Sequence, residues 1–351
     1  MDSKRIYLGF SALVVLALVL TGCAPAAAPT PETIIQTVEV EVPVAAATEA
    51  PVDPMEACAG KTMAYLGFGS QFAFIAIVDE SMQRAADEAG VDLVFIDNEF
   101  SPEKALENAE LVASRGDVDL VYEFNYYQQQ NYTIADIFKE AGIPVIAIDI
   151  PVPGATYYGG DNYAAGKIAG LALADWAKAK WGDEPVDLAL VEQQSLAGQQ
   201  TLEARTLGII AGLYQGLPYL TEEQVVRFEG ENNPDAAGEA VAAALTANPD
   251  AERVLIGMLG DSNAIAAANQ AAEAGRDVGV SGIGGDDVGI QALRSGDPAS
   301  FVGTSLFLPE HYGDDLIPLG CRLLAGEQIP AEVFVNHVFL NKDNLNEIYP
   351  E

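Results

Sequence analysis

From Lys61 onward the chain alternates short apolar runs with helically spaced stretches, and that alternation limits the fold more than any other feature. Met63–Phe68, Val91–Ile96, Val118–Phe124 and Ile143–Asp149 read as strands, separated by helices over Ala73–Ala89, Pro102–Ser114 and Gln129–Ala141. A second series follows, with helices over Asn162–Trp181, Gly198–Gln215, Pro234–Ala247, Asp261–Ala274 and Asp286–Ser295. Its strands fall at Val186–Val191, Gln224–Glu229, Arg253–Met258, Val278–Ile283 and Phe301–Phe307. Apolar runs bounded by turn residues and separated by helices fit parallel strands covered on both faces. The expected class is therefore α/β.

One large sheet would satisfy the pattern, but Val145–Gly170 divides it. A buried run ends in Asp149, and the chain then turns through Pro151, Pro153, Gly154, Gly159 and Gly160. Asp161 and Asn162 offer an N-cap for the next helix. A carboxylate closing a buried strand points into a cleft or takes local hydrogen bonds. The stretch predicts two α/β lobes of similar topology with a ligand between them.

The N-terminus gives the destination. Lys4 and Arg5 precede an apolar run from Leu8 to Leu20, and Leu20-Thr21-Gly22-Cys23 follows. A basic start, a short apolar stretch and small residues before the cut describe an export signal. The run is shorter than the roughly 20 residues a spanning helix needs. The Leu-Thr-Gly-Cys ending is similar to a bacterial lipobox, which implies cleavage before Cys23 and lipidation of that cysteine. The stretch from Ala24 to about Ala59, rich in Ala, Pro, Thr, Glu and Val, then reads as a flexible tether. The alternating residues Thr33–Val42 leave open an added strand on the body. Cys58 and Cys321 remain in an exported chain, either bonded to each other or as two buried thiols.

Net charge is -35, with 52 acidic against 17 basic residues. Such a balance repels phosphate backbones and anionic membrane surfaces, so it argues against nucleic-acid partners. His311 and His337 are the only histidines, and neither stands near a Ser or Cys pattern at a strand end, which argues against a nucleophilic triad. The cysteines lack metal-ligand spacing, and no calcium loop or phosphate-binding Gly-Lys-Ser/Thr loop occurs. No catalytic residue, metal or cofactor is expected.

Binding is the better reading. Ligands of open α/β sheets sit at the carboxyl ends of the strands, and here those ends are acidic, amidic and aromatic by turns. Phe68, Phe72 and Phe74 crowd the first of them, to meet a ligand, the facing lobe or the core beneath the first helix. Aromatic faces with carboxylates suit a polyhydroxylated ring, whose C–H face packs on the rings while its hydroxyls donate to the acids.

From Met63 to about Leu340 the chain resembles type I periplasmic solute-binding proteins of the ribose-binding class. Ile143-Pro144-Val145-Ile146-Ala147-Ile148-Asp149, Asp161-Asn162 with Gly166-Lys167-Ile168-Ala169-Gly170, and Leu308-Pro309 carry the resemblance. It implies two Rossmann-like lobes joined by three crossovers, which close on a ligand and deliver it to an ABC permease. It also implies a pocket. Phe74 matches one stacking aromatic, with Ile75 in place of the second, and Asp149 matches the cleft carboxylate. Ile150 and Glu203 stand where ribose binders place arginines, while Arg205 is shared but is not the expected contact. Gly260 replaces an asparagine, leaving Asp261 as contact or helix cap. Gly284 replaces an aspartate, leaving Asp286 with the same two readings, and Phe307 replaces a glutamine. Such a pocket departs from a ribose site and leaves room for an amine-bearing or nucleoside-like ligand.

The resulting expectation is an exported monomer anchored to the outer face of the cell membrane only through Cys23, binding a sugar-like small molecule for an ABC importer. A sensory module serving a chemoreceptor or kinase is the alternative from another class. Expected segments are signal peptide 1–22, lipidated cysteine and tether 23–59, a first lobe of 60–160 with 308–335, and a second of 161–307 with 336–351. The last lobe crossing would bring Cys58 and Cys321 into one domain.

Overall fold

The computed structural model describes residues 53–194, 200–231 and 233–350. The expected signal peptide, Cys23 and nearly all of the expected tether lie outside the described residues. The last part of that tether is structured. Pro54–Cys58 forms helix α1, with proline at its start and Asp53 capping the Met55 N–H.

The first series gives β1 (Thr62–Gly67), α2 (Ala73–Ala89), β2 (Asp92–Asp97), α3 (Pro102–Arg115), β3 (Leu120–Glu123), α4 (Asn131–Ala141) and β4 (Val145–Ile148). Helices α2, α3 and α4 each end on a glycine with positive φ, Gly90, Gly116 and Gly142, as a left-handed C-cap requires. One element was not anticipated. Thr156–Gly159, inside the proline- and glycine-rich crossing, is strand β5 and pairs in parallel with β4.

The second series gives α5 (Asn162–Trp181), β6 (Leu188–Gln193), α6 (Gln200–Gly216), β7 (Val225–Glu229), α7 (Pro234–Ala247), β8 (Arg253–Gly257), α8 (Asp261–Glu273), β9 (Asp277–Gly284), α9 (Asp287–Ser295) and β10 (Phe301–Leu306). Helix α10 (Tyr312–Leu324), the short strands β11 (Glu332–Phe334) and β12 (Phe339–Leu340), and α11 (Leu345–Ile348) complete the body.

Two sheets result, in the orders β11-β5-β4-β3-β1-β2 and β12-β10-β9-β8-β6-β7. Their first five strands share one topology, and all the pairings among them are parallel. The sixth strands differ, β11 being parallel to β5 and β12 antiparallel to β10. The chain passes between sheets after β5, after β10 and between β11 and β12.

Both faces of each sheet are buried, which explains the unbroken apolar runs. In β1, Met63 and Tyr65 join one core while Ala64 and Leu66 join the opposite one. In β8, Val254 and Ile256 face one core and Leu255 the other. That is the period of two expected of a strand. Helix α10 returns to the first sheet, where Tyr312, Leu316 and Ile317 pack with Met82 and Tyr122. Cys58 and Cys321 are joined there in a disulfide, their Cα atoms 5.1 Å apart.

The glycines around Lys167 have a packing role. A Cβ on Gly166 would strike the Arg205 carbonyl, and one on Gly170 the Ile209 carbonyl. Gly208 and Gly212 of α6 meet α5 in the same way. The two helices thus approach backbone to backbone. This contact sets the position of α6 over the cleft.

Candidate functional site

The carboxyl ends of both sheets face one cavity of about 440 Å³. Strand order reverses at β1/β3 in one sheet and β6/β8 in the other, and ligands of open α/β sheets bind outside such switch points. The first lobe contributes Phe68, Gln71, Phe72, Phe74, Phe124, Tyr126, Asp149 and Ile150. From the second come Leu202, Arg205, Leu259 to Asn263, Ile283, Gly284, Asp286 and Phe307.

The aromatic residues form two groups. Phe68 is the centre of the first, with ring centroids 5.1–5.4 Å from those of Phe72, Phe100, Phe124 and Tyr126. Each such pair adds about 0.5–1.5 kcal/mol beyond its buried area, so this wall is stiff. The second group spans the lobes. Phe74 stands edge-on to Phe307 at 6.2 Å and to Tyr312 at 5.9 Å.

Asp149 follows β4 with φ of +55°, a left-handed conformation that costs a non-glycine residue of order 1–3 kcal/mol. Several bonds hold it there. Its N–H donates to the Tyr158 carbonyl at 2.9 Å, and its Oδ1 accepts from Gly160 N–H at 3.0 Å. The Tyr312 hydroxyl lies 3.1 Å from both carboxylate oxygens. Burial pushes the Asp149 carboxyl up to about 6, against the opposing pull of the Gly160 N–H, Arg205 and Tyr312. Asp149 borders the cavity.

Asp261 does not cap its own helix. Gly260 is the N-cap of α8, and Asp261 Oδ2 instead accepts from Gly285 and Asp286 N–H at 2.8 and 3.0 Å. It therefore fixes the loop that follows β9. Burial, reinforced by the neighbouring Asp286 charge, raises its carboxyl to about 7. Asp286 does cap α9, accepting from Gly289 N–H at 3.1 Å, and still borders the cavity. Behind them Glu192 accepts from Leu259 N–H at 2.8 Å and from Asn263 Nδ2 at 2.7 Å, and burial lifts it to about 7. It orients the Leu259–Asn263 wall rather than touching the cavity.

Glu203 is the correction. It does not border the cavity but pairs on the surface with Arg227, Nη1 to Oε1 2.9 Å, with 37% of its side chain exposed. Leu202 and Arg205 share the cleft-facing stripe of α6 because residues three apart lie on one helical face. Glu203 is turned about 100° from Leu202 at 3.6 residues per turn, and so points away. Arg205, passed over as a contact, takes the place instead. Its Nη1 donates to the Leu259 carbonyl at 2.9 Å, its Nε to Asn162 Oδ1, and its guanidinium lies 4.6 Å over the Phe307 ring. Nη2 has no hydrogen-bond partner among the described residues. The spacing of Leu202 and Arg205 was the available signal.

Tyr126 was also missed. Its hydroxyl, in the first lobe, donates to Gln194 Oε1 of the second at 2.9 Å. Leu202, from α6, packs against the first lobe's core. The lobes thus touch across the cavity. Among the described residues no group of His, Cys, Asp and Glu is placed to hold a metal ion.

This two-lobed architecture has known counterparts. The profile of the family described as periplasmic binding protein domain matches residues 64–328, and the chain belongs to that family. The chain is 25% identical over 266 residues to the ribose import binding protein of Haemophilus influenzae, covering 75% of this chain and 85% of that protein. It is likewise 25% identical to the ribose import binding protein of Escherichia coli, over 74% of this chain and 83% of the other. Among solved structures, an ABC transporter solute-binding protein from Mycobacterium smegmatis with bound glycerol superposes with a TM-score of 0.70 at 24% identity. That match covers 83% of this chain and 97% of the other. One from Actinobacillus succinogenes with bound D-allose gives 0.70 at 18%, over 82% and 99%. At these identities the structures establish the type I periplasmic-binding fold.

Proposed function

We propose that the chain is the extracytoplasmic solute-binding component of an ABC importer, taking a sugar or sugar-like molecule into the cavity between its lobes. The observation that carries this is the composition of that cavity. Phe72 and Phe74, both half-buried, offer apolar ring surface to a C–H-rich ligand, while Asp149 and Arg205 offer an acceptor and a donor to its hydroxyls. Charge-assisted bonds of this kind contribute roughly 1.5–3 kcal/mol each. The glycerol and D-allose carried by the structural neighbours are in keeping with it.

The protein binds and releases rather than transforms. Closure is a rigid-body movement about the three passages between sheets, near Gly159-Gly160, Phe307 and Asn336. Leu20-Thr21-Gly22-Cys23 supports a lipid anchor on Cys23, with the body working as a monomer beside its permease. Retention of the wild type in the membrane fraction, and release of a Cys23→Ala variant, tests the anchor.

A thermal-shift panel of sugars, polyols, nucleosides and amines tests the ligand class. Ligand at about 100 times Kd adds roughly 2.7 kcal/mol of stability. A response to sugars or polyols supports the reading, whereas a response to amines alone replaces it with an amine binder. Uptake that persists after deletion of the gene would favour a sensory role.

A further inference from the structure

Behind the cleft, where the chain crosses between lobes, lies a second cavity of about 440 Å³. Its aromatic lining comes from Tyr157, Tyr163 and Phe334, and the Tyr157 and Phe334 ring centroids are 5.8 Å apart. Tyr163 and Phe334, 46% and 50% exposed, put large apolar rings in solvent at the border of one cavity. Two carboxylates, Asp161 and Glu332, also border it, and no Lys, Arg or His does. Neither has an ion-pair partner among the described residues.

The amide in this wall is already committed. Asn162 Oδ1 accepts from Arg205 Nε, and its Nδ2 donates to the Gly160 carbonyl at 3.2 Å. The Tyr157 hydroxyl is likewise spent on the Gly160 and Asp149 carbonyls, at 2.9 and 3.3 Å. The Tyr157 hydroxyl and the Asn162 amide are therefore engaged, while ring faces and negative charge remain. Asp161 also caps α5, its Oδ1 accepting from Ala164 N–H at 2.9 Å, but neither acid has a cationic partner among the described residues. Ring faces beside such carboxylates attract an organic cation, through the ring quadrupole and through charge.

We propose that this cavity is a second binding site, separate from the cleft, for a small organic cation with a compact apolar body such as a quaternary amine. Its inner wall is Tyr157, Gly160 and Asn162, the same residues that hydrogen-bond to Asp149 and Arg205, so the two sites lie back to back.

The test uses choline as probe and 3,3-dimethyl-1-butanol as its uncharged isostere, with binding to the full chain followed by ligand-observed NMR. Choline should bind, and the isostere should bind at least about tenfold more weakly, as loss of a cation–ring interaction with its charge requires. Phe334→Ala, on an edge strand with half of its side chain in solvent, should weaken choline about tenfold, and Glu332→Gln should weaken it too. Phe74→Ala and Asp286→Asn, which alter the cleft, should leave choline affinity within about twofold. Absence of choline binding, equal binding of the isostere, or a loss in Phe74→Ala as large as in Phe334→Ala would each overturn the assignment.

Discussion

The Tyr312 hydroxyl lies 3.1 Å from both carboxylate oxygens of Asp149, a contact between residues 163 positions apart in sequence. It ties the first residue of the α10 return helix to the end of β4. The return helix and the cleft acid are thereby tied together.

Tyr312→Phe removes that donor and little else, because the ring keeps its packing against Phe74 and Tyr158. Ligand affinity should fall about fivefold to tenfold, from the roughly 1 kcal/mol a hydrogen bond contributes. The Asp149 carboxyl should titrate at higher pH, since the lost bond favoured its charged form. Isothermal titration and a carboxyl ¹³C titration check the two effects.

Glu203 and Arg205 separate two assignments of the α6 surface. Glu203→Gln should leave ligand affinity within about twofold, because its partner is the surface residue Arg227 and exposed pairs contribute about 0–1 kcal/mol. Arg205→Lys should weaken binding by about tenfold or more, since an ammonium cannot reproduce a guanidinium that is stacked and bonded at two nitrogens. Titration calorimetry on both variants decides it.

Tyr126→Phe should act on residence time. The Tyr126–Gln194 bond joins the two lobes, so losing about 1 kcal/mol from the state in which they touch should raise the dissociation rate about fivefold and change association little. Stopped-flow measurement of both rates tests the split.

Several buried carboxyls set the pH response. Asp149, Glu192 and Asp261 are raised by burial to about 6, 7 and 7. An acid raised in the folded state holds its proton where the unfolded chain has lost it. Its contribution is most favourable below the unfolded value of about 4 and is lost as pH rises through the folded value. Stability should therefore decline between about pH 4 and 7 on account of these groups. Asp261→Asn keeps an oxygen for Gly285 and Asp286 N–H while removing the charge, and should flatten part of that slope. Chemical denaturation at a series of pH values measures it.

The fold was largely legible because buried parallel strands write themselves as apolar runs and helices end on glycines. The helices Ala73–Ala89, Asn162–Trp181 and Pro234–Ala247 were readable to the residue. Strand β5 was hidden, since its four residues follow Pro151, Pro153 and Gly154 and their pairing with β4 and β11 is a long-range fact. Phe68, Phe72, Phe74, Asp149, Asp261, Asp286 and Phe307 all border the cavity because strand ends are set by topology. Glu203 was misplaced because it lies on a helix, where one residue of offset turns a side chain from cleft to solvent. Asp261 shows the same limit in another form, since its backbone partners, Gly285 and Asp286, come from a different loop.

The affinity of the best sugar or polyol from the panel, measured by titration calorimetry on the wild type and on Asp149→Ala, tests the cleft site most directly. Asp149 is 6% exposed and is the carboxylate that the first lobe gives to the cavity, so affinity should fall about 100-fold, the loss of one or two charge-assisted hydrogen bonds. An Asp149→Ala variant that folds and binds the same ligand with unchanged affinity would place the ligand somewhere other than this cavity.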